Sequence, residues 1–593
     1  RINGLDGPYT QILLDSRPIF SALSGVYGIE QIPASMIERV EVMRGGGSAL
    51  FGSSAIAGTI NIITKEPMRN SGMLSHTITG IGDGDAFDNS TALNASLVTD
   101  DQRAGLYIFG QNRHRSAYDH DGDGYSEIPK LHGQTIGFRS FLKTTTYSKL
   151  TFEYHHMEEF RRGGDLLNRP PHEANVAEQT EHSINGGGLK FDYFSPNENH
   201  RFNVFASAQH INRDSYYGPG DRDPLDAYGN TTDLNWMAGS QYVYSFGKCI
   251  FMPSDLTAGI EFNQDKLEDN MWGYNRTVDQ KVNIGSAFLQ NEWKNDHWGF
   301  LIGGRLDKHN LIDHVIFSPR ANLRYNPTEN INLRFSYSSG FRAPQAFDED
   351  LHVENVGGNV AMVELADNLK EERSQSLSAS ADIYHRFGAF QVNFLVEGFY
   401  TKLSDVFALT DGEVVNGILT RTRHNASGAQ VMGLTLEGKM AYLNKIQVQA
   451  GVTLQQSHYS KPHIWNKEAP AVKKMMRTPN TYGYFTATYT PIKPLSIALS
   501  GTYTGSMLVP HEPVPGFLEN PITVNTKDFF DIGLKAAYDF KLYKSMNLQL
   551  NAGIQNIFNA YQDDFDKGAD RDSGYIYGPS LPRSFFAGVK ISY

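Results

Sequence analysis

The sequence predicts an all-β transmembrane barrel of about twenty-two antiparallel strands enclosing a small α/β domain. Three observations carry that prediction. Apolar and polar residues alternate in segment after segment from residue 70 to the end, and the breaks between segments are short and long by turns. A polar mean hydropathy of −0.41 coexists with 12% aromatic residues. A wall with lipid on one face and water on the other requires all three: period-two alternation, unequal turns on the two sides of the membrane, and aromatic girdles at the interfaces.

The alternation is explicit in two segments. In INLRFSYSS, Ile331, Leu333, Phe335 and Tyr337 share one face, and Asn332, Arg334, Ser336 and Ser338 share the other. In NLQLNAGI, Leu548, Leu550, Ala552 and Ile554 oppose Asn547, Gln549 and Asn551. Short breaks fall at TDDQ (from 99), SPNENH (195), NPTEN (326), RFG (386), YLNK (442) and PIKP (491). Long ones cover 159–181, 213–232, 341–373, 402–430, 506–527 and 559–581. A soluble sandwich also alternates, but tight turns that interleave with long loops are the pattern of an up-and-down barrel in an outer membrane. The final FFAGVKISY reads as the closing strand, with Phe585, Ala587, Val589, Ile591 and Tyr593 on one face.

Composition removes several other classes. No window approaches the ~18 apolar residues of a membrane-spanning helix. A single cysteine, Cys249, excludes a disulfide framework and a multi-thiolate metal site. A net charge of −12 argues against a nucleic-acid partner, because neutralising phosphates needs a basic surface. No nucleophile paired with a base, no phosphate loop and no redox motif is visible, so no enzymatic activity is expected.

Residues 1–69 differ from the rest. PASMIERVEVMRGGGSALFGSSAIAGTINIITKEP predicts a short helix after Pro33, a strand near Val40–Met43, a Gly-rich turn and a strand near Thr59–Thr64. The run from Ile37 to Thr64, with its ERVEV strand, RG turn, SAL, GS, AI and INIIT, resembles the plug signature of TonB-dependent receptors. The predicted domains are therefore 1–69, plug, and 70–593, barrel. The family's plug is longer, so the resemblance implies that residues 1–69 are its C-terminal part; no TonB box is assignable. It also implies active import across the Gram-negative outer membrane, powered by the TonB–ExbB–ExbD complex. The wall would contact outer-membrane lipid, and a surface lipoprotein is a further partner open to this family.

The resemblance places ligand between the plug's apical loops and the barrel's outer loops. Ile12–Asp15 reads as a strand and residues 17–28 as a loop, so Arg17, Phe20, Ser24, Val26 and Tyr27 are contact candidates; the alternative is that Pro18 and Phe20 only pack the loop. GFRAPQAFDEDLHVENVGGNVAMVELADNLKEE resembles the FRAP and NPNL boxes that bracket an axial histidine in haem receptors. Phe341–Pro344, including Arg342, form the first box, Asp367–Leu369 form the second without its Pro, and His352 lies between. Neutral imidazole is a common axial ligand of haem iron.

YDHDGDGYSEI places Asp119, Asp121 and Asp123 before Gly124, the first half of a calcium loop. Lys130 stands where the bidentate acid belongs, and Glu127 substitutes only in a shorter geometry. Calcium orders outer loops in the family's vitamin B12 receptors; a solvated acidic loop is the alternative. No cofactor is required, and a structural calcium is the one candidate. The expected ligand is a metal chelate, a cobalamin or haem, with a ferric siderophore as alternative. A passive porin or an adhesin barrel is the alternative of another class.

Overall fold

The computed structural model describes all residues except 1, 6, 19–31, 46–50, 219–223 and 357–358. Among the described residues, twenty-two strands close into one antiparallel barrel that begins with Ser71–Ile81 and ends with Ser584–Ser592. These two strands pair with each other, Ser584 opposite Ile81 through to Ser592 opposite Met73. The Tyr593 N–H completes the seam at 2.9 Å from the Gly72 carbonyl. A short extra strand, Val472–Lys474, adds to Ile446–His463, whose main neighbour is Thr481–Ile492.

The alternation in sequence becomes a two-faced wall. Leu333, Phe335, Leu550, Phe585 and Ile591 are all exposed, although large apolar side chains of a water-soluble fold would be covered. They form the lipid-facing band. The short breaks are tight turns, such as Thr328 to Ile331, Phe387 to Phe390 and Ile492 to Leu495. Half-buried Cys249 sits at one of these turns, where Trp293 donates its indole N–H to the Cys249 carbonyl at 3.0 Å.

The long breaks are more ordered than alternation alone suggests. Strands run far past the ~9–11 residues that cross a bilayer; Tyr228–Cys249 has 22 residues. Two of the breaks combine into a small sheet above the wall. Glu354–Val356 pairs with Asn359–Leu365, which lies parallel to Ile418–Asn425, itself antiparallel to Phe407–Val415. A one-turn helix, Asp348–Leu351, precedes it. These elements are too short to show a periodicity in sequence.

The plug contributes a four-stranded sheet: β1 (Thr10–Leu14), β2 (Arg17–Pro18), β3 (Ile37–Arg44) and β4 (Gly58–Thr64), in the order β2-β1-β4-β3. β1 lies parallel to β4, and β3 antiparallel to it. Two local expectations are corrected. The segment after Pro33 is a single 3-10 turn, Ala34–Met36, because Ile37 already belongs to β3. The chain from residue 17 is not loop throughout: Asp15 and Ser16, at φ 49° and 66°, turn it back so that Arg17–Pro18 pairs with β1. Gly58, at φ 150°, is required where β4 begins, since a Cβ there would lie 2.2 Å from the Met43 carbonyl oxygen.

Candidate functional site

The plug is held inside the wall mainly by charged and polar contacts. From β3, Arg44 pairs with Glu437 and, at 3.2 Å, with Glu397. From the wall, Arg139 pairs with Asp15 and reaches Glu66 at 3.3 Å, while Lys149 lies 3.1 Å from Glu66. Tyr9 donates to Glu372 at 2.9 Å and Tyr107 to the Ser35 carbonyl at 2.7 Å. Apolar patches supplement these, where Leu5, Tyr9 and Ile56 pack against Phe399, Leu403 and Val431, and Met36 against Tyr107 and Phe109. Ion pairs and hydrogen bonds exchange readily for water, so such an interface resists leakage without fixing the plug permanently.

Above the plug, the outer ends of several strands and the loops between them enclose a cavity of about 330 Å³, at the low end for small-molecule sites. Aromatic groups form much of its wall, among them Tyr125, Tyr217, Phe565 and Tyr575. The Arg571 guanidinium lies 4.8 Å from the centre of the Tyr125 ring. Tyr575 stacks on His511 at 3.7 Å between centroids, and the His511 Nε2 is 2.9 Å from Asp566. Burial pushes the Glu512 carboxyl up to about 7, helped by Asp411 and Asp572 and opposed by Arg421 and the Asn466 amide. Burial likewise raises Asp572, with Glu354 adding to the effect against two backbone N–H donors.

His352 lines this cavity. Its ring packs edge-on against Tyr217, 5.2 Å between centroids, and its Nε2 is 3.8 Å from Glu178. Arg342 lies elsewhere, almost wholly buried: its guanidinium is 4.2 Å from the Phe347 ring centre, pairs with Glu349 and is 3.8 Å from Glu372. The box around it seats the plug, with the Ser54 N–H 2.9 Å from the Phe341 carbonyl and the Ala343 N–H 3.3 Å from Ser53 Oγ. Next to it, burial drives the Asp350 carboxyl up to about 6 against the pull of Arg423. Arg17 pairs with Glu153 of the wall. Phe20, Ser24, Val26 and Tyr27 lie outside the described residues.

The acidic loop divides. Carboxylate oxygens of Asp119, Asp121 and Glu127 converge within 4.8 Å of one another. Asp123 instead accepts from Arg571 at 2.5 Å and from the Gly568 N–H at 2.8 Å. Asp119 accepts the N–H groups of Gly122 and Gly124, while Asp121 Oδ2 is buried, with no hydrogen bond among the described residues, 3.6 Å from Lys567 Nζ. Three hard oxygen donors at this spacing fit a calcium ion completed by water or carbonyl groups. Glu127 would then share its carboxylate with Arg571, 2.9 Å away.

Sequence reasoning missed Arg161, Glu178, Tyr217 and Arg571, which line the cavity. They fall inside the long breaks, and the one signal for them was the acid-rich DDFDKGADRD of 563–572.

Comparison with known proteins accords with this architecture. A family model described as "TonB dependent receptor-like, beta-barrel" matches residues 71–557, and one described as "TonB-dependent Receptor Plug Domain" matches residues 1–59. The iron-regulated outer membrane virulence protein of Vibrio cholerae serotype O1 is 27% identical over 383 residues, covering 60% of this chain and 54% of that protein. The vitamin B12 transporter BtuB of Vibrio vulnificus is 23% identical over 360 residues, 58% of this chain and 54% of its own length. The chain thus spans about half the length of the curated relatives it matches. The crystal structure of the siderophore receptor PirA from Acinetobacter baumannii superposes with a TM-score of 0.79 at 18% identity, covering all of this chain and 92% of that one. At that identity the likeness concerns the fold.

Proposed function

The chain belongs to the TonB-dependent receptor family of the Gram-negative outer membrane, whose members are receptors and transporters and not enzymes, and on that premise we propose that it imports a scarce metal chelate with energy delivered through TonB. The observation that carries this reading is a closed wall whose lumen is filled by its own N-terminal domain, beneath a cavity built from outer loops. A porin or an adhesin needs neither. A twenty-two-stranded lumen is wide enough to leak, so the plug keeps it shut, and an interface of ion pairs lets it move when pulled.

The ligand within this reading is a cobalamin or haem, with a ferric siderophore as the second candidate. The BtuB relative favours the first, and the virulence relative, iron-regulated by name, the second. A calcium ion on Asp119, Asp121 and Glu127 belongs to the same proposal: it would fix the loop that Arg571 ties to the last outer loop.

Calorimetric titration of the purified protein with cyanocobalamin, haemin and a ferric siderophore tests the reading. One of the three should bind tightly, and binding of none would overturn it. If haemin binds through His352, His352→Ala should alter the Soret band; an unchanged spectrum removes that imidazole as axial ligand. Free permeation of small sugars through proteoliposomes carrying the intact protein would favour a porin instead.

A further inference from the structure

The cavity above the plug carries an excess of one charge. Five carboxylates line it, Glu127, Glu178, Glu354, Asp566 and Asp572, against two guanidinium groups, Arg161 and Arg571. Both cations already face carboxylates. Arg571 is 2.5 Å from Asp123 and 2.9 Å from Glu127, and Arg161 is 2.7 Å from Glu159. Behind the wall one guanidinium, Arg421, is shared among three carboxylates, Glu354 at 2.8 Å, Asp411 at 3.1 Å and Glu512 at 3.2 Å, and Glu512 stands over Asp572 with its backbone N–H 2.9 Å from the carboxylate. The upward displacement of the Glu512 and Asp572 carboxyl groups is what burial among neighbouring acids produces.

Recognition of a polyanion follows the opposite design. It uses guanidinium and ammonium groups available to the ligand, because an anion brought against carboxylates is repelled and leaves them poorly solvated. Here, among the described residues that line the cavity, each guanidinium would have to exchange a carboxylate for the ligand. The remaining surface offers flat apolar contact from Tyr125, Tyr217, Val353, Phe565 and Ile576.

We infer, resting on the reading of this cavity as the chelate site, that the ligand carries no net negative charge and presents an apolar face, a neutral or cationic metal complex. This separates candidates that metal content alone leaves together. Cyanocobalamin is neutral and ferrioxamine B, a ferric trihydroxamate, is cationic. Haemin is anionic through its two propionates, and a ferric tris-catecholate is trianionic.

The test is equilibrium binding of the full chain to four probes, cyanocobalamin, ferrioxamine B, haemin and ferric enterobactin, each at low and high NaCl. Cyanocobalamin or ferrioxamine B should bind, and the two anionic probes should bind at least about tenfold more weakly. Salt should narrow that gap by screening the repulsion. Haemin or ferric enterobactin binding as tightly as the other two would overturn the inference and leave the import reading standing. Absence of binding by all four would remove the chelate site itself, and the inference with it.

Discussion

The seat of the plug and the cavity above it use the same side-chain chemistry with opposite balance. At the seat, cations and carboxylates face one another across the domain boundary: Arg44 with Glu397 and Glu437, Arg139 and Lys149 with Asp15 and Glu66. In the cavity, carboxylates outnumber cations, and some of them are held in an environment that favours the protonated form. Matched charges make a joint that holds and can be separated. An excess of one sign makes a surface that selects what comes near it.

The largest effect should come from unbalancing the seat. Arg44→Ala leaves Glu397 and Glu437 facing each other without a cation, and half-burial of the pair sets the loss at about 1–3 kcal/mol of plug retention. Proteoliposomes carrying the variant should leak small sugars, and retention equal to the parent would show that the remaining contacts of the seat hold the plug without Arg44. Gly58→Ala attacks the same region without touching charge. Its Cβ would collide with the Met43 carbonyl, so β3 and β4 should separate at a cost of about 1–3 kcal/mol, read as faster hydrogen exchange across that pair.

A smaller effect is expected in the rim. If calcium rests on Asp119, Asp121 and Glu127, chelation should lower ligand affinity by about tenfold. Asp119→Asn with Asp121→Asn should reproduce the loss and abolish the response to chelator. Equal affinity with and without calcium would leave an acidic loop clasped by Arg571 alone.

The smallest effect is a pH response of the outer loops. Glu512 has its folded-state carboxyl raised from 4.5 to about 7. Its contribution to stability is therefore complete below the unfolded value and is lost as pH rises through 7. Protection against hydrogen exchange in the loops around Glu512, taken relative to the intrinsic base-catalysed rate at each pH, should be greater near pH 5 than near pH 8, and Glu512→Gln should flatten that dependence. Asp350, raised to about 6, shifts in the same direction.

The wall was legible because its physics is periodic and local. Each strand must show lipid an apolar face, so Leu333, Phe335, Phe585 and Ile591 announce themselves in sequence. The β3 and β4 strands were legible through a run of residues that resembles a family signature. The rim was not. Arg571 reaches Asp123 across most of the chain, and Arg421 joins Glu354 to Glu512 from three different loops. No spacing rule encodes such meetings, which exist only once the barrel has closed. His352 shows the limit plainly: sequence placed it in the long loop after Phe341, but its neighbours Tyr217 and Glu178 come from other strands.

The seam between Ser71–Ile81 and Ser584–Ser592 joins opposite ends of the barrel chain. No partial product of synthesis can complete that ladder, so every earlier intermediate has two unsatisfied strand edges and an open side. Such long-range closure is slow and prone to mispairing. Sealing of the cylinder thus waits for both ends of the barrel, and removal of the strand Ser584–Ser592 should leave an open, aggregation-prone sheet.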